Sequence, residues 1–151
     1  MDKPKTINPT SETSPTRAGT LLSSFGYAFA GLRYCLVTQR NFRIHIAAAI
    51  IGVIVGLLLN LSLTEWAVFA TMVALVLAAE MVNTMIESLV DLVTTEYHPL
   101  AKVAKDVAAG IVLLTAIASV IVGLLIFAPK LIRFWILDFG FWVFLSPILL
   151  P

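Results

Sequence analysis

The sequence is poor in several residue types, and each shortage excludes a class of structure or site. A single cysteine, Cys35, is too few for an internal disulfide, and no cysteine–histidine cluster has the spacing of a zinc site. Charged residues make up 13% of the chain and the formal net charge is +1, so nothing suggests nucleic-acid binding. Any metal ion that the protein uses must therefore be held by oxygen atoms.

Apolar residues, in contrast, are abundant. They make up 60% of the 151 residues, and the mean hydropathy is +0.98. A composition of this kind is typical of an integral membrane protein and excludes an ordinary soluble domain. The length suits one bundle of three or four membrane-spanning helices and leaves no room for a second domain of ordinary size. We therefore predict an all-α, integral membrane helical bundle.

The N-terminal part of the chain divides into a polar tail and an amphipathic segment. Residues 1–19 are rich in Thr, Ser and Pro and predict a disordered tail. The tail lacks the apolar core and cleavage site of a secretory signal, so we expect the N-terminus to stay in the cytosol. Residues 20–39 gather their apolar side chains broadly on one side, which favours a helix on the membrane surface over a soluble helix packed on a core.

Three apolar segments follow, and we expect each to cross the membrane. They cover residues of about 44–61, 66–93 and 102–128. The connection between the first two segments carries no Lys or Arg, whereas basic residues are concentrated before the first segment and at the start of the third. The positive-inside rule therefore also favours a cytosolic N-terminus.

The last part of the chain, residues 129–151, is a hydrophobic aromatic extension. It contains Asp138, Gly140 and Pro147 among its aromatic residues, and its apolar length is marginal for a span. An interfacial aromatic segment and a fourth helix are therefore equal alternatives. The side of the membrane on which the C-terminus lies is left open.

Four polar residues interrupt the second span on one face of its helix. Glu80, Asn83, Glu87 and Asp91 recur at i, i+3, i+7 and i+11. At about 100° per residue they fall within an arc of roughly 80°. A charge at the bilayer centre costs about 2.5 to 3.5 kcal/mol on insertion scales, so this polar stripe indicates a site. Taken without further information, an ion or proton pathway and helix–helix hydrogen bonding remain alternatives to catalysis.

The residues of the stripe lie at different depths in the membrane and therefore suit different roles. The rise from Glu80 to Asp91 is about 16 Å, so Glu80 can lie beneath the headgroups while Asp91 reaches water. A desolvated carboxylate suits a general base that works near neutral pH. Glu87, nearer the surface, suits Mg²⁺, which typically takes one or two carboxylates together with phosphate oxygens and waters. With Lys105 available for phosphate, the set predicts phosphorylation of a lipid alcohol.

The same residues resemble a known family. The E-x-x-N-x-x-x-E-x-x-x-D run from Glu80 to Asp91, followed by Glu96-Tyr97-His98 and Lys105-Asp106, is similar to the signature of the prokaryotic diacylglycerol kinase and undecaprenol kinase family. Upstream, the run Asn41-Phe42-Arg43-Ile44-His45 resembles the undecaprenol kinase branch. The resemblance covers about residues 25–127, and its joined motifs are highly specific.

The resemblance implies a homotrimer in the bacterial cell membrane, with Mg²⁺ and ATP used at the cytosolic face and active sites formed between neighbouring subunits. Residues 20–128 would form the kinase domain, with a surface helix and three spans. Glu80 matches the proton acceptor for the lipid hydroxyl, Glu87 matches a metal ligand, and Asn83 and Asp91 match polar supports of the motif helix. The positions that match nucleotide contacts are Tyr27, Gln39, Glu87, Glu96, Tyr97, His98, Lys105 and Asp106. No Walker motif is expected, and none is present.

The chain also departs from the family pattern. Gln39 stands where the best-known members have a second metal-binding glutamate, so it would bind metal weakly or touch ATP without binding metal. Thr20 stands where those members have a nucleotide-contacting arginine. Ala109, taken with Glu80 as a substrate-binding position, replaces a small polar residue. His45, considered alone, is interpreted as an interfacial residue rather than a ligand.

These observations predict an ATP-dependent lipid kinase, with undecaprenol favoured over diacylglycerol as the substrate. The alternative from another class is a small oligomeric membrane transporter that uses the carboxylates of the stripe for ions or protons.

Overall fold

The computed structural model describes residues 21–139, and the regular structure of these residues is entirely helical. Helix α1 spans Leu21–Thr38, α2 spans Arg40–Leu58, α3 spans Leu63–Val93 and α4 spans Pro99–Arg133, and a π-helical stretch, Phe134–Phe139, follows α4 directly. The predicted all-α class is confirmed. The predicted tail, residues 1–19, and residues 140–151 lie outside the described part of the chain.

Three helical segments are long and apolar enough to cross a membrane, as the sequence predicted. They are Arg40–Leu58, Leu63–Val93 and Pro99–Ile136. The third of these segments is longer than the predicted span, because helix α4 continues through Pro129 to Arg133. Proline lacks an N–H and removes one hydrogen bond from the helix interior, but the helix does not end there. Whether residues 129–151 form a separate extension stays a prediction.

The described residues divide into two compact units, and the boundary between them, after Arg33, lies within α1. In the first unit, Phe25, Tyr27 and Phe29 expose 63%, 68% and 69% of their surfaces. A helix with large exposed apolar side chains of this kind is typical of a membrane surface.

In the second unit, α3 and α4 form an antiparallel pair that is tied by an ion pair at each end. Lys130 Nζ of α4 lies 3.1 Å from Glu65 Oε2 near the start of α3. Lys105 Nζ lies 2.6 Å from Asp91 Oδ1 near the end of α3. The two ion pairs therefore fix which residues of α4 face the polar stripe of α3.

The turn between α2 and α3 is determined by local hydrogen bonds. Asn60 adopts a left-handed conformation with φ of 51°, which Asn tolerates better than most residues. Ser62 is the N-cap of α3: its hydroxyl accepts from the Glu65 backbone N–H, and its own N–H donates to Glu65 Oε2 at 2.6 Å. This reciprocal capping box starts α3 at a defined residue and sets where the second span begins.

Two glycines of α2 allow aromatic rings of α3 to come close. A Cβ atom at Gly52 would lie 2.6 Å from Phe69 Cζ, and one at Gly56 would lie 2.8 Å from Trp66 Cη2. The rings cannot easily move aside, because Phe69 packs edge-to-face against both Trp66 and Phe127 with centroid distances of 5.9 Å. The G-x-x-x-G pair of α2 therefore serves close helix packing within one chain.

Replacing Gly52 should loosen the contact between α2 and α3. We expect Gly52→Ala to destabilise the protein by about 1 to 3 kcal/mol, because the added methyl group overpacks the Phe69 ring. The measurement is thermal unfolding of the purified protein in detergent. Gly123→Ala is the matched control, since a Cβ there meets no atom of the chain within 4 Å. Equal stability of the two variants would contradict this account of the α2–α3 contact.

Candidate active site

The polar stripe of α3 changes from buried to exposed along the helix. Glu80 is 2% exposed, and the residue before it, Ala79, is 6% exposed. Asn83 and Glu87 are half-buried, and the side chain of Asp91 is 66% exposed. The stripe therefore has one enclosed carboxylate at its inner end and an accessible one at its outer end.

Asn83 and Glu87 are joined by a hydrogen bond. The Asn83 side-chain amide Nδ2 donates to Glu87 Oε1 at 2.9 Å. Its carbonyl atom Oδ1 is buried and has no hydrogen-bond partner among the described residues. Asn83 thus orients one oxygen of Glu87 and offers an unpaired oxygen of its own one turn earlier.

Beyond Glu87, the stripe connects to α4 through charged pairs. Asp91 pairs with Lys105 across the two helices, while Lys102 pairs with Asp106 along α4. These four side chains carry two positive and two negative charges. Both lysines are thus already neutralised by carboxylates of the same chain.

An open cavity of about 430 Å³ lies between the end of α3 and the start of α4. It brings together six of the predicted site residues: Asp91, Glu96, Tyr97, His98, Lys105 and Asp106. The connection 94–98 forms one wall, and in it the Thr94 hydroxyl accepts a hydrogen bond from the Glu96 N–H at 3.2 Å. The E-Y-H and K-D motifs, which are separate in sequence, thus line one cavity.

His98 has a structural role in addition to its place in this cavity. It is the N-cap of α4, where its Nδ1 accepts a hydrogen bond from the Leu100 N–H at 3.2 Å, and Pro99 occupies the first helical position. Tyr97, the preceding residue, is 80% exposed. The start of α4 therefore accounts for His98 and Pro99 at these positions, whether or not a ligand binds there.

Three other predicted site residues belong neither to the stripe nor to the lining of this cavity. Gln39 is half-buried at the N-cap position of α2 and makes no side-chain capping bond. Ala109 is exposed on α4, next to the buried Ala108. Tyr27 is exposed on α1 in the first compact unit. Their assigned roles stay predictions.

The donor atoms near Glu87 fit a magnesium ion only if other ligands complete the site. Within residues 21–139, no group of three or more His, Cys, Asp or Glu side chains could hold a metal ion. Glu87 supplies one oriented carboxylate, and the unpaired Asn83 Oδ1 is a second oxygen on the same face. Because Mg²⁺ commonly takes one or two carboxylates and completes its octahedron with phosphate oxygens and waters, this donor set is compatible with it.

One contact of the stripe was missed by the interpretation of the sequence. His45 of α2, interpreted above as interfacial, places Nε2 at 3.3 Å from Glu80 Oε1. The available signal was that His45 is the only ionisable residue inside the first predicted span. Sequence could not show which face of α3 it meets, because that depends on how α2 and α3 pack.

Comparison with known proteins gives consistent matches. The model of the prokaryotic diacylglycerol kinase family matches residues 26–127. An undecaprenol kinase of Bacillus subtilis is 47% identical over 108 residues, which is 72% of this chain and 88% of that protein. A diacylglycerol kinase of Synechocystis is 47% identical over 131 residues, 86% of this chain and 75% of that protein. The Escherichia coli K12 diacylglycerol kinase is 31% identical over 101 residues, 67% of this chain and 83% of that protein.

The family match covers the stripe, the E-Y-H and K-D motifs, the first two candidate spans and the third span as far as residue 127. It therefore confirms the resemblance inferred from those motifs, and with it the prediction of a lipid kinase. Its motifs, its helices and these relatives together show that the chain belongs to the prokaryotic diacylglycerol kinase family.

Proposed function

We propose that this protein transfers the γ-phosphoryl group of ATP to the hydroxyl of a membrane lipid alcohol. The observation that carries the proposal is that one helix, α3, holds the enclosed Glu80 at one level and lines a polar cavity at the other. Lipid and nucleotide need such contrasting surroundings. Family membership favours this function over an ion pathway along the stripe.

The substrate that we favour is undecaprenol, with diacylglycerol as the second candidate. The run from Asn41 to His45 supports undecaprenol, because it resembles that branch of the family. The undecaprenol kinase of Bacillus subtilis and the diacylglycerol kinase of Synechocystis are each 47% identical to this chain. An experiment on both lipids must therefore decide between them.

In the proposed reaction, Glu80 is the catalytic base. Its carboxylate takes the proton of the lipid hydroxyl while the hydroxyl oxygen forms a bond to the γ-phosphorus of ATP. The bond from that phosphorus to the β–γ bridging oxygen breaks, and ADP leaves. The enclosure of Glu80 excludes water, which would otherwise compete with the lipid for the phosphoryl group.

Mg²⁺ is the proposed cofactor, with Glu87 as its protein ligand and Asn83 as the residue that orients Glu87. When bound, the ion neutralises negative charge on the transferring phosphates. The cavity supports this assignment because its lysines are already paired with carboxylates, so a polyphosphate needs further positive charge. Gln39 is the weaker of the two proposed metal positions, since its amide brings no charge.

For the nucleotide, we propose contacts from residues that line the cavity and from three that do not. The proposed set is Tyr27, Gln39, Glu87, Glu96, Tyr97, His98, Lys105 and Asp106, with Asp91 as the partner of Lys105. Ala109 remains a proposed substrate contact on α4. The site would lie at the cytosolic face of the bacterial cell membrane, with the N-terminus in the cytosol.

A homotrimer with sites between subunits is the proposed assembly. The described part of one chain leaves many large apolar residues of α2 and α4 exposed. Neighbouring copies or lipid must cover them. A neighbouring copy could also bring a nucleotide cavity to the level of Glu80, which lies about 16 Å along α3 from Asp91 in the same chain.

The direct test is a phosphorylation assay on the purified protein in lipid vesicles. With γ-labelled ATP and Mg²⁺, we expect label in the organic phase when undecaprenol is present, and less label with diacylglycerol. If only diacylglycerol took up label, diacylglycerol and not undecaprenol would be the substrate. If neither lipid nor any other membrane alcohol took up label, the proposed function would be wrong.

Replacing Glu80 tests the base. We expect Glu80→Gln to lower turnover by about 100-fold or more, because an amide cannot accept the hydroxyl proton, while ATP affinity changes little. Turnover and equilibrium binding of an ATP analogue are to be measured on the same preparation. Turnover close to that of the unaltered protein would show that another group is the base.

His98 allows its capping role to be separated from its proposed nucleotide contact. We expect His98→Ala to lower the free energy of unfolding by about 0.5 to 2 kcal/mol through loss of the cap, whereas His98→Asn keeps a capping side chain. Both variants should raise the KM for ATP, since neither retains the imidazole. If the KM for ATP were unchanged in the stable His98→Asn variant, His98 would have only the capping role and no contact with the nucleotide.

A further inference from the structure

The enclosed carboxylate of Glu80 is incompletely paired within its own helix. Its Oε1 is buried and receives no hydrogen bond from any described residue. The neighbouring polar side chains are used elsewhere: the Thr84 hydroxyl donates to the backbone carbonyl of Glu80 at 2.9 Å, and the Asn83 amide donates to Glu87. A buried acceptor without a donor is expensive, so this atom needs a partner from another element.

His45 on α2 is the residue in place to be that partner. Its Nε2 lies 3.3 Å from Glu80 Oε1, and the two side chains are 26% and 3% exposed. This contact is not a hydrogen bond in the structure. Hydrogen bonds between catalytic groups are often long or poorly aligned before substrate binds. A modest rotation of the imidazole would let Nε2–H donate to this oxygen, and both the neutral and the protonated ring can supply that donor.

The surroundings of His45 leave its ring few other polar partners. The ring lies 3.3 Å from Glu80, and His45 also lines a cavity of about 100 Å³ formed by residues of α2, α3 and α4. The other residues that line this cavity are apolar except for Ser119: Ala48, Ala49, Phe69, Val73, Val76 and Leu77. An imidazole in such a setting is stabilised by turning its N–H toward a carboxylate.

The electrostatic neighbours of Glu80 indicate the same partner. The charged or titratable side chains that act on it are His45 and Glu87, and Glu87 is itself a carboxylate two turns along α3. No charged side chain of α4 acts on it in the described part of that helix. Among residues 21–139, His45 is therefore the one group that can compensate a negative charge on Glu80.

We propose that His45 is a positioning residue for the phosphoryl transfer: its Nε2–H donates to Glu80 Oε1 and so directs the other carboxylate oxygen to the lipid hydroxyl. This inference rests on the proposed role of Glu80 as the base. The imidazole does not touch the lipid or the nucleotide. It compensates the charge of the base and fixes its orientation, much as a carboxylate orients a catalytic histidine.

The test compares two replacements of His45 in the lipid kinase assay with the full chain. His45→Leu removes the donor and should lower kcat by about 10- to 100-fold, the range common for the loss of an orienting partner. The KM for ATP should not change, because the ring contacts Glu80 and an apolar cavity, and it is not among the residues that line the nucleotide cavity. His45→Gln keeps an N–H donor and should retain kcat within about threefold.

A control and a double substitution separate this role from a structural one. Ser119→Ala alters the same cavity without reaching Glu80, and should leave kcat unchanged. In a Glu80→Gln background, adding His45→Leu should cause no further loss, because residues that act as a unit are not additive. The thermal unfolding temperature of every variant is measured as well, so that a loss of turnover caused by unfolding can be recognised.

The outcomes distinguish this inference from the proposed function. One outcome is that the unaltered protein phosphorylates lipid, Glu80→Gln abolishes turnover and His45→Leu is fully active. In that case the positioning role of His45 is wrong, whereas the role of Glu80 as the base is supported. Equal loss in the Leu and Gln variants would also overturn it, since a donor would not then restore function. Absence of lipid phosphorylation in the unaltered protein would instead refute the function itself.

Discussion

The arrangement of this protein depends on one constraint: a carboxylate inside an apolar helix must be enclosed with a partner or brought to water. Helix α3 satisfies it in both ways. Glu80 is enclosed and lies beside His45, whereas Asp91 is exposed and paired with Lys105. Between them, Asn83 and Glu87 are tied to each other. The stripe can therefore pass from an apolar environment to a polar one while each acidic group has a nearby group of suitable chemistry.

The features that sequence predicted are those set by composition and local spacing. Helices of this length and hydropathy satisfy their own backbone hydrogen bonds, so three candidate spans follow from the order of residues alone. The stripe followed from the helical period, and the specific run from Glu80 to Asp91 identified the family. The capping box of Ser62 and Glu65 was equally readable in principle, because its two residues are three apart.

What sequence did not predict depends on how the helices pack. The approach of His45 to Glu80 and the pairing of Lys105 with Asp91 join residues whose distance in space has no fixed relation to their spacing in the sequence. The continuation of α4 past Pro129 is a local feature that runs against the usual effect of proline on a helix. His98 shows a different difficulty, since its motif supported a nucleotide role and concealed a capping role that the same side chain performs. Gln39, Ala109 and Tyr27 keep roles that only the resemblance supplies.

The small extent of burial has a consequence for how the molecule is held together. In the most apolar window of each candidate span, the rest of the chain buries 11% of the residues of α2, 22% of those of α3 and none of those of the third span. Nearly all of the hydrocarbon surface is therefore left to acyl chains or to other copies. Changes in bilayer thickness or lipid composition should then act on this kinase almost as directly as core substitutions act on a soluble enzyme.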